Sequence, residues 1–280
     1  MRPRIAAALR VAVSAGAVAI LLPAAIEAVY VSPTAVFMDD RAPSTQVTIG
    51  NASDSAEEAT VEIRFGFPDA DSAGTPFVRM IDDPDSTMPS AADWVRAFPQ
   101  RVLLPPKSQQ IVRLLAQPPA GLRDGEYWAR LIVTGQRASP QVAGADTVVR
   151  AGLNLVIRLV ASVSFRKGGV STGVAVSDLT AEAEGDSLTV WSHLERRGNA
   201  AYLGTVDFEL VNAAGATVRS WSSTLAVYVP MRRRFSFPLD SIAPGDYRVR
   251  MRLRAERPDL PAERVLKVPT VTDSVPLRIG

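Results

Sequence analysis

Cysteine is absent from this chain, histidine occurs once and lysine three times. Without cysteine there is no disulfide staple, no thiolate nucleophile and no cysteine-type zinc site, so the fold rests on burial alone. The single histidine, His193, lies in the strand pattern Leu188–Leu194 with no metal-ligand spacing and no nucleophile beside it. There is no G-x-x-x-x-G-K-[ST] phosphate loop and no G-x-G-x-x-G fingerprint. Ser164 and Lys167 have S-x-x-K spacing, but neither S-D-N nor K-T-G follows them. Asp69-Ala70-Asp71 with Gly74 starts like a calcium loop, yet the fifth and twelfth positions are Ala73 and Met80, which offer no side-chain oxygen. Carboxylate pairs such as Asp82-Asp83 invite a glycosidase reading, and this one sits in a proline-broken stretch where solvent leaves its acidity ordinary. The chain reads as a non-enzyme, with no metal and no cofactor.

Charge of one sign is also lacking. The formal charge is +2, and residues 1–28 account for it with Arg2, Arg4 and Arg10 against Glu27. The remainder is neutral, so net charge does not point to nucleic acid or an acidic membrane. No helical period is sustained beyond the first residues.

What is present begins with an export signal. A positive start, an apolar core from Val11 to Ile26 and the small residue Ala28 mark residues 1–28 as a cleaved signal peptide. The apolar core is short for a membrane span. The mature part is therefore expected to be exported.

The mature chain reads as all-β. Thr60-Val61-Glu62-Ile63-Arg64-Phe65 alternates with Val61, Ile63 and Phe65 on one face. Residues 66–93, rich in Pro and Asp, read as a long loop. Val102–Leu104 stops at Pro105-Pro106, which cannot donate to a ladder, and Ile111–Ala116 resumes the apolar run. Then Asp124-Gly125-Glu126-Tyr127 leads into Trp128–Val133, and the arrangement recurs in Pro244-Gly245-Asp246-Tyr247 before Arg248–Leu253. A tyrosine entering a penultimate strand suits a Greek-key sandwich, its hydroxyl reaching back to a nearby backbone group. Twice in one chain, the motif predicts two immunoglobulin-like β-sandwich domains in tandem, at 29–163 and 164–280. Near the end of the first domain, after a connection at Gly135–Asp146, Thr147–Val160 reads as a strand carrying Leu153, Leu155, Ile157 and Leu159 on one face.

These stretches carry a resemblance. Val47-Thr48-Ile49-Gly50-Asn51, Phe98-Pro99 through Leu104-Pro105-Pro106, Gln110–Leu114 and Gly125–Val133 resemble the periplasmic pilus-assembly chaperones, a family of two immunoglobulin-like domains set at an angle. In the second half, Leu194–Asn199 and Ala226-Val227-Tyr228 are similar to divergent, chaperone-like members. The resemblance implies donation of an edge strand to pilus or surface-protein subunits, with Leu153, Leu155, Ile157 and Leu159 as donors. It also implies an outer-membrane usher as a further partner and homodimers that cap the strand when no subunit is bound. The family holds the subunit's terminal carboxylate with an arginine and a lysine, and here Thr34 and Val156 align with them. Arg158, on the same strand face as Val156, is the candidate substitute. The alternative is a structural or adhesive cell-envelope protein that uses the sandwiches as spacers.

Overall fold

The computed structural model describes residues 29–137 and 156–280. Its regular structure is strand, apart from one 3-10 turn at Ala262–Arg264, and no described helix is long and apolar enough to cross a membrane. The chain opens with β1 (Val29–Ser32), β2 (Ala35–Asp39) and β3 (Ser44–Asn51). Next come β4 (Glu57–Ala70), β5 (Pro76–Ile81), β6 (Val95–Phe98) and β7 (Arg101–Leu104). β8 (Gln109–Ala116), β9 (Gly125–Arg137) and β10 (Val156–Lys167) complete the first group. One sheet runs β1-β3-β8-β6 and the other β2-β10-β9-β4-β5, with β7 alongside the start of β4.

The period of two decides what each sheet buries. On β8, Val112, Leu114 and Ala116 are buried while Ile111, Arg113 and Leu115 are exposed. They meet Val61, Leu131, Val133, Val163 and Phe165 of the other sheet in one core. Prolines mark where strands change sheets. β1 is antiparallel to β3, and past Pro33 the chain crosses over so that β2 runs parallel to β10. Past Pro99 the same happens, β6 pairing with β8 and β7 with β4. A residue with no N–H closes one ladder where the next begins.

The second group is β11 (Thr172–Glu184), β12 (Ser187–Gly198), β13 (Tyr202–Asn212), β14 (Thr217–Val227), β15 (Met231–Pro238), β16 (Gly245–Arg254) and β17 (Val271–Ile279). It forms the sheets β11-β12-β15 and β14-β13-β16-β17 around a core of its own. On β16, Val249, Met251 and Leu253 point inward and Arg248, Arg250, Arg252 and Arg254 outward. Both pairs of sheets have the Greek-key order of an immunoglobulin-like sandwich. The two tyrosines brace their corners as the repeated motif predicts. The Tyr127 hydroxyl donates to Arg123 O at 2.9 Å, and the Tyr247 hydroxyl donates to Ala243 O at 2.8 Å.

Some expectations are corrected. Residues 66–93 are not one long loop, because β4 continues to Ala70 and returns as β5. From Phe65 onward β4 has left β9 and pairs only with β5, so Pro68 has fewer ladder bonds to supply. β9 extends to Arg137, into the expected connection. The division expected at 163/164 falls inside β10, which ends at Lys167. β11 went unread because its Ala, Glu and Asp residues are weak strand formers. The strand expected at Val265–Val271 lies instead at Val271–Ile279, beyond Pro269.

Candidate functional site

β10 is covered unevenly. On one side it pairs with β9 along its whole described length, from Val156 opposite Gln136 to Lys167 opposite Gly125. On the other side β2 covers only Ser162–Arg166, and the Ser162 N–H donating to Thr34 O at 2.8 Å is the first bond of that contact. From Val156 to Ala161 this edge has no strand partner among the described residues. Backbone groups alternate along a strand, so the N–H and C=O of Val156, Arg158 and Val160 point to the same open side as those of Ser162. The side chains divide likewise. Val156, Arg158 and Val160 are exposed, whereas Ile157 and Leu159 are half-buried and Leu159 packs against the first core. Leu153 and Leu155 lie outside the described residues.

The covered end of β10 opens into a cleft between the two pairs of sheets. Its floor is a third apolar cluster of Phe37, Phe65, Phe67, Trp128, Ala201, Leu203 and Tyr228, to which both groups of strands contribute. Above it is a cavity of about 150 Å³ lined by Thr34, Arg130, Ser162, Tyr228, Arg257 and Asp259, among others. Arg130 is 4% exposed. Its Nε donates to Gly66 O at 3.0 Å and its Nη1 to Ser162 Oγ, while its guanidinium lies 5.2 Å from the Tyr228 ring centroid. Nη2 is buried and has no partner, and no carboxylate forms an ion pair with Arg130 among the described residues. A buried cation lacking its counter-charge is costly, so this cavity is preorganised for an anion. Arg257 is already satisfied by two bonds to Asp259, at 2.7 and 2.6 Å, and those bonds hold the Asp259 carboxyl below its usual range.

The predicted anchor residues fall differently. Thr34 lines the cavity, but its neighbour across the ladder is Ser162 and not Val156. Arg158 is exposed on the open stretch of β10 and is not part of the cavity wall. Arg130 escaped the sequence reading because on β9 it looks like an ordinary outward residue of an alternating strand. The Tyr228 and Leu203 side chains that bury it come from the second group of strands, about 70 to 100 residues further along the sequence. An arginine amid the otherwise apolar run Trp128–Val133 was the only local signal.

A second network fixes the cleft's shape. Glu126, fully buried in its side chain, accepts from Arg166 Nε at 2.8 Å, Trp128 Nε1 at 3.0 Å and the Ala201 N–H at 3.4 Å. Arg196 donates to Tyr228 O at 2.8 Å and lies over the Trp128 ring, and burial lowers its pKa against the opposing pull of Glu126. These bonds tie β9 and β10 to β12, to Ala201 just before β13 and to Tyr228 just past β14.

The other sequence candidates have structural roles. Asp69 pairs with Arg79, and Asp71 accepts the Ala73 and Thr75 N–H groups of its own turn. Asp82 pairs with Arg64 and Lys167 with Asp40. Gly169-Val170-Ser171-Thr172-Gly173 spells G-x-S-x-G, which corrects a reading of the sequence as lacking that motif. It lies in the turn from β10 into the edge strand β11, where the Ser171 N–H is held by Asn199, and no helix follows.

Neither a protein-family model nor a curated protein matches the chain. Solved fimbrial and related chaperones are similar to it. The YadV chaperone is 12% identical, with 90% of this chain and 99% of that one covered and a TM-score of 0.44. The class 5 fimbriae chaperone CfaA is 12% identical over 88% and 98%, with a TM-score of 0.43. The Pseudomonas aeruginosa CupB2 chaperone is 11% identical over 88% and 98%, with a TM-score of 0.41.

Proposed function

We propose that this chain is a non-enzymatic periplasmic chaperone that lends the open edge of β10 to secreted pilus or surface-protein subunits. The observation that carries this reading is the run Val156–Ala161, a strand edge that has no strand partner among the described residues and leads into a cavity whose arginine has no ion-pair partner among them. A client strand laid on that edge gains ladder bonds from Val156, Arg158 and Val160. The face of Leu153, Leu155, Ile157 and Leu159 supplies the alternating apolar contacts. With the client's terminal carboxylate at Arg130, Ser162 and Tyr228, its last strand runs in the same direction as β10. Arg130 thus takes the anchoring role that the sequence suggested for Arg158. Release would pass the client to another strand, the step in which the resemblance implies an outer-membrane usher. Residues 1–28 serve as the export signal, and two copies pairing edge to edge would cap β10 between clients. The domain limits that go with this reading are 29–167 and 172–279, each with its own pair of sheets.

A spacer of the cell envelope would be expected to keep both edges of β10 paired, and the described edge favours the chaperone instead.

The test is co-expression with the secreted subunits encoded beside this chain, using Val160→Pro. The Val160 N–H points away from β9, so proline there removes a donor that no described residue uses and a client strand would. Subunit recovery is expected to fall at least tenfold while the variant's melting temperature stays near that of the parent. Equal recovery of every subunit with the two proteins would overturn the reading.

A further inference from the structure

The Arg130 cavity has a second guanidinium in its wall. Arg257 lies in the connection from β16 to β17, within Arg257-Pro258-Asp259-Leu260, where the Leu260 N–H donates to Arg257 O at 3.0 Å and closes a β-turn. Proline as the first central residue presets such a turn. Both flanks of the turn are pinned. Thr205 Oγ1 donates to Glu256 O at 2.7 Å, and Leu260 packs on the third apolar cluster. Within the turn Arg257 gives both Nε and Nη2 to Asp259. The Arg257 side chain is 15% exposed and that of Asp259 48%, so the cation is the inner partner and the carboxylate the outer one. The charged side chains lining the cavity are Arg130, Arg257 and Asp259, two cations against one anion. One further carboxylate would balance them, and Arg130 Nη2 is the buried donor there that has no partner.

We propose that Arg257 is the second arm of the client anchor and that Asp259 holds it masked until a terminal carboxylate arrives. This rests on the chaperone reading and names the residues that set how tightly the anchor holds. A client strand that ends beside Ser162 brings its carboxylate into the same cavity. There it exchanges with Asp259 for the planar fork of Arg257 and is shared between the two guanidiniums. Asp259 is half-exposed, so water takes up its oxygens when the pair opens. Arg257 is largely desolvated and keeps a counter-charge throughout the exchange.

The probe is a synthetic peptide of alternating Val and Thr with a free terminal carboxylate, together with its amidated twin. Binding to the full mature chain is read by calorimetry. Asp259→Asn keeps the size of the side chain and frees Arg257. The free acid is expected to bind this variant about tenfold tighter than the parent, while the amidated peptide binds both alike. Adding Arg257→Gln to Asp259→Asn removes that gain. Damage to the fold would weaken both peptides, so the amidated twin isolates the site. Equal free-acid affinity for the parent and Asp259→Asn overturns the masking. A gain that survives Arg257→Gln, or one shared by the amidated peptide, overturns Arg257 as the second arm, because Asp259 then acts by charge or bulk alone. In each of these cases the chaperone reading stands. Free-acid and amidated peptides binding the parent equally would instead overturn the Arg130 anchor itself, and this proposal with it.

Discussion

The Tyr202 hydroxyl is buried, with the residue 1% exposed, and has no hydrogen-bond partner among the described residues. A buried hydroxyl left unpaired costs about 1–3 kcal/mol, while the ring beneath it contributes its full burial. Tyr202→Phe is therefore expected to stabilise the protein by about 1 kcal/mol in urea unfolding. Burial also pushes the phenol up to about 12. The phenol's contribution is fully present below its ordinary value of 10 and drains away as pH climbs from there toward 12. An absorbance titration should show a phenolate step near pH 12 that the Phe variant lacks. The step's persistence in Tyr202→Phe would refute the assignment. Tyrosines also show how far single residues can be read. The braces at Tyr127 and Tyr247 were legible because each hydroxyl bonds only four residues back, inside a motif that local sequence contains. Arg130 was not, because the cavity wall around it is supplied from distant parts of the chain.

At the scale of elements, the hairpin of β4 and β5 was the largest misreading and is the clearest strap between the sandwiches. Its Pro, Gly and Asp residues look like loop, and they are tolerated because the hairpin pairs mainly with itself. Its tip docks on the second sandwich, Gly74 O accepting from the Arg234 N–H at 3.1 Å and from Arg233 Nη1. Gly74 has φ +73, and a Cβ there would come within 2.5 Å of the Trp191 ring and 2.7 Å of Arg234 N. Alanine at this position faces both an unfavourable backbone region and a wall. Gly74→Ala should cost about 1–3 kcal/mol and broaden the distance between spin labels placed on the two sandwiches. Unchanged stability with an unchanged distance distribution would show that the tip does not hold the sandwiches together. By contrast, β10 was legible in its alternation, since Ile157, Leu159, Ala161, Val163 and Phe165 share the inward face. How far its outer edge stays open depends on β2 beginning only at Ala35, and no pattern within β10 encodes that.

For the whole molecule, the question is whether two sandwiches behave as two units or one. Each has its own core, yet the third cluster joins them, with Trp128 at its centre. The Trp128 ring meets Phe67 edge-on at 6.1 Å and Tyr228 at 4.7 Å, and its Nε1 donates to the buried Glu126. Removing it opens a void between the sandwiches and takes one donor from a carboxylate that water cannot reach. Replacing Trp128 by alanine should therefore cost about 3–5 kcal/mol, far more than an isolated surface contact. The manner of unfolding separates the two views. If the cluster couples the sandwiches, the parent protein melts in a single calorimetric transition and Trp128→Ala splits it, the first sandwich melting earlier while the second stays near its original temperature. The same substitution should weaken binding of a synthetic peptide with a free terminal carboxylate, because the proposed anchor of Tyr228 and Arg130 loses the ring it packs against. Two transitions already present in the parent protein would mean that the cleft is held by the strap and the Glu126 network alone, and the peptide affinity of Trp128→Ala should then match the parent's.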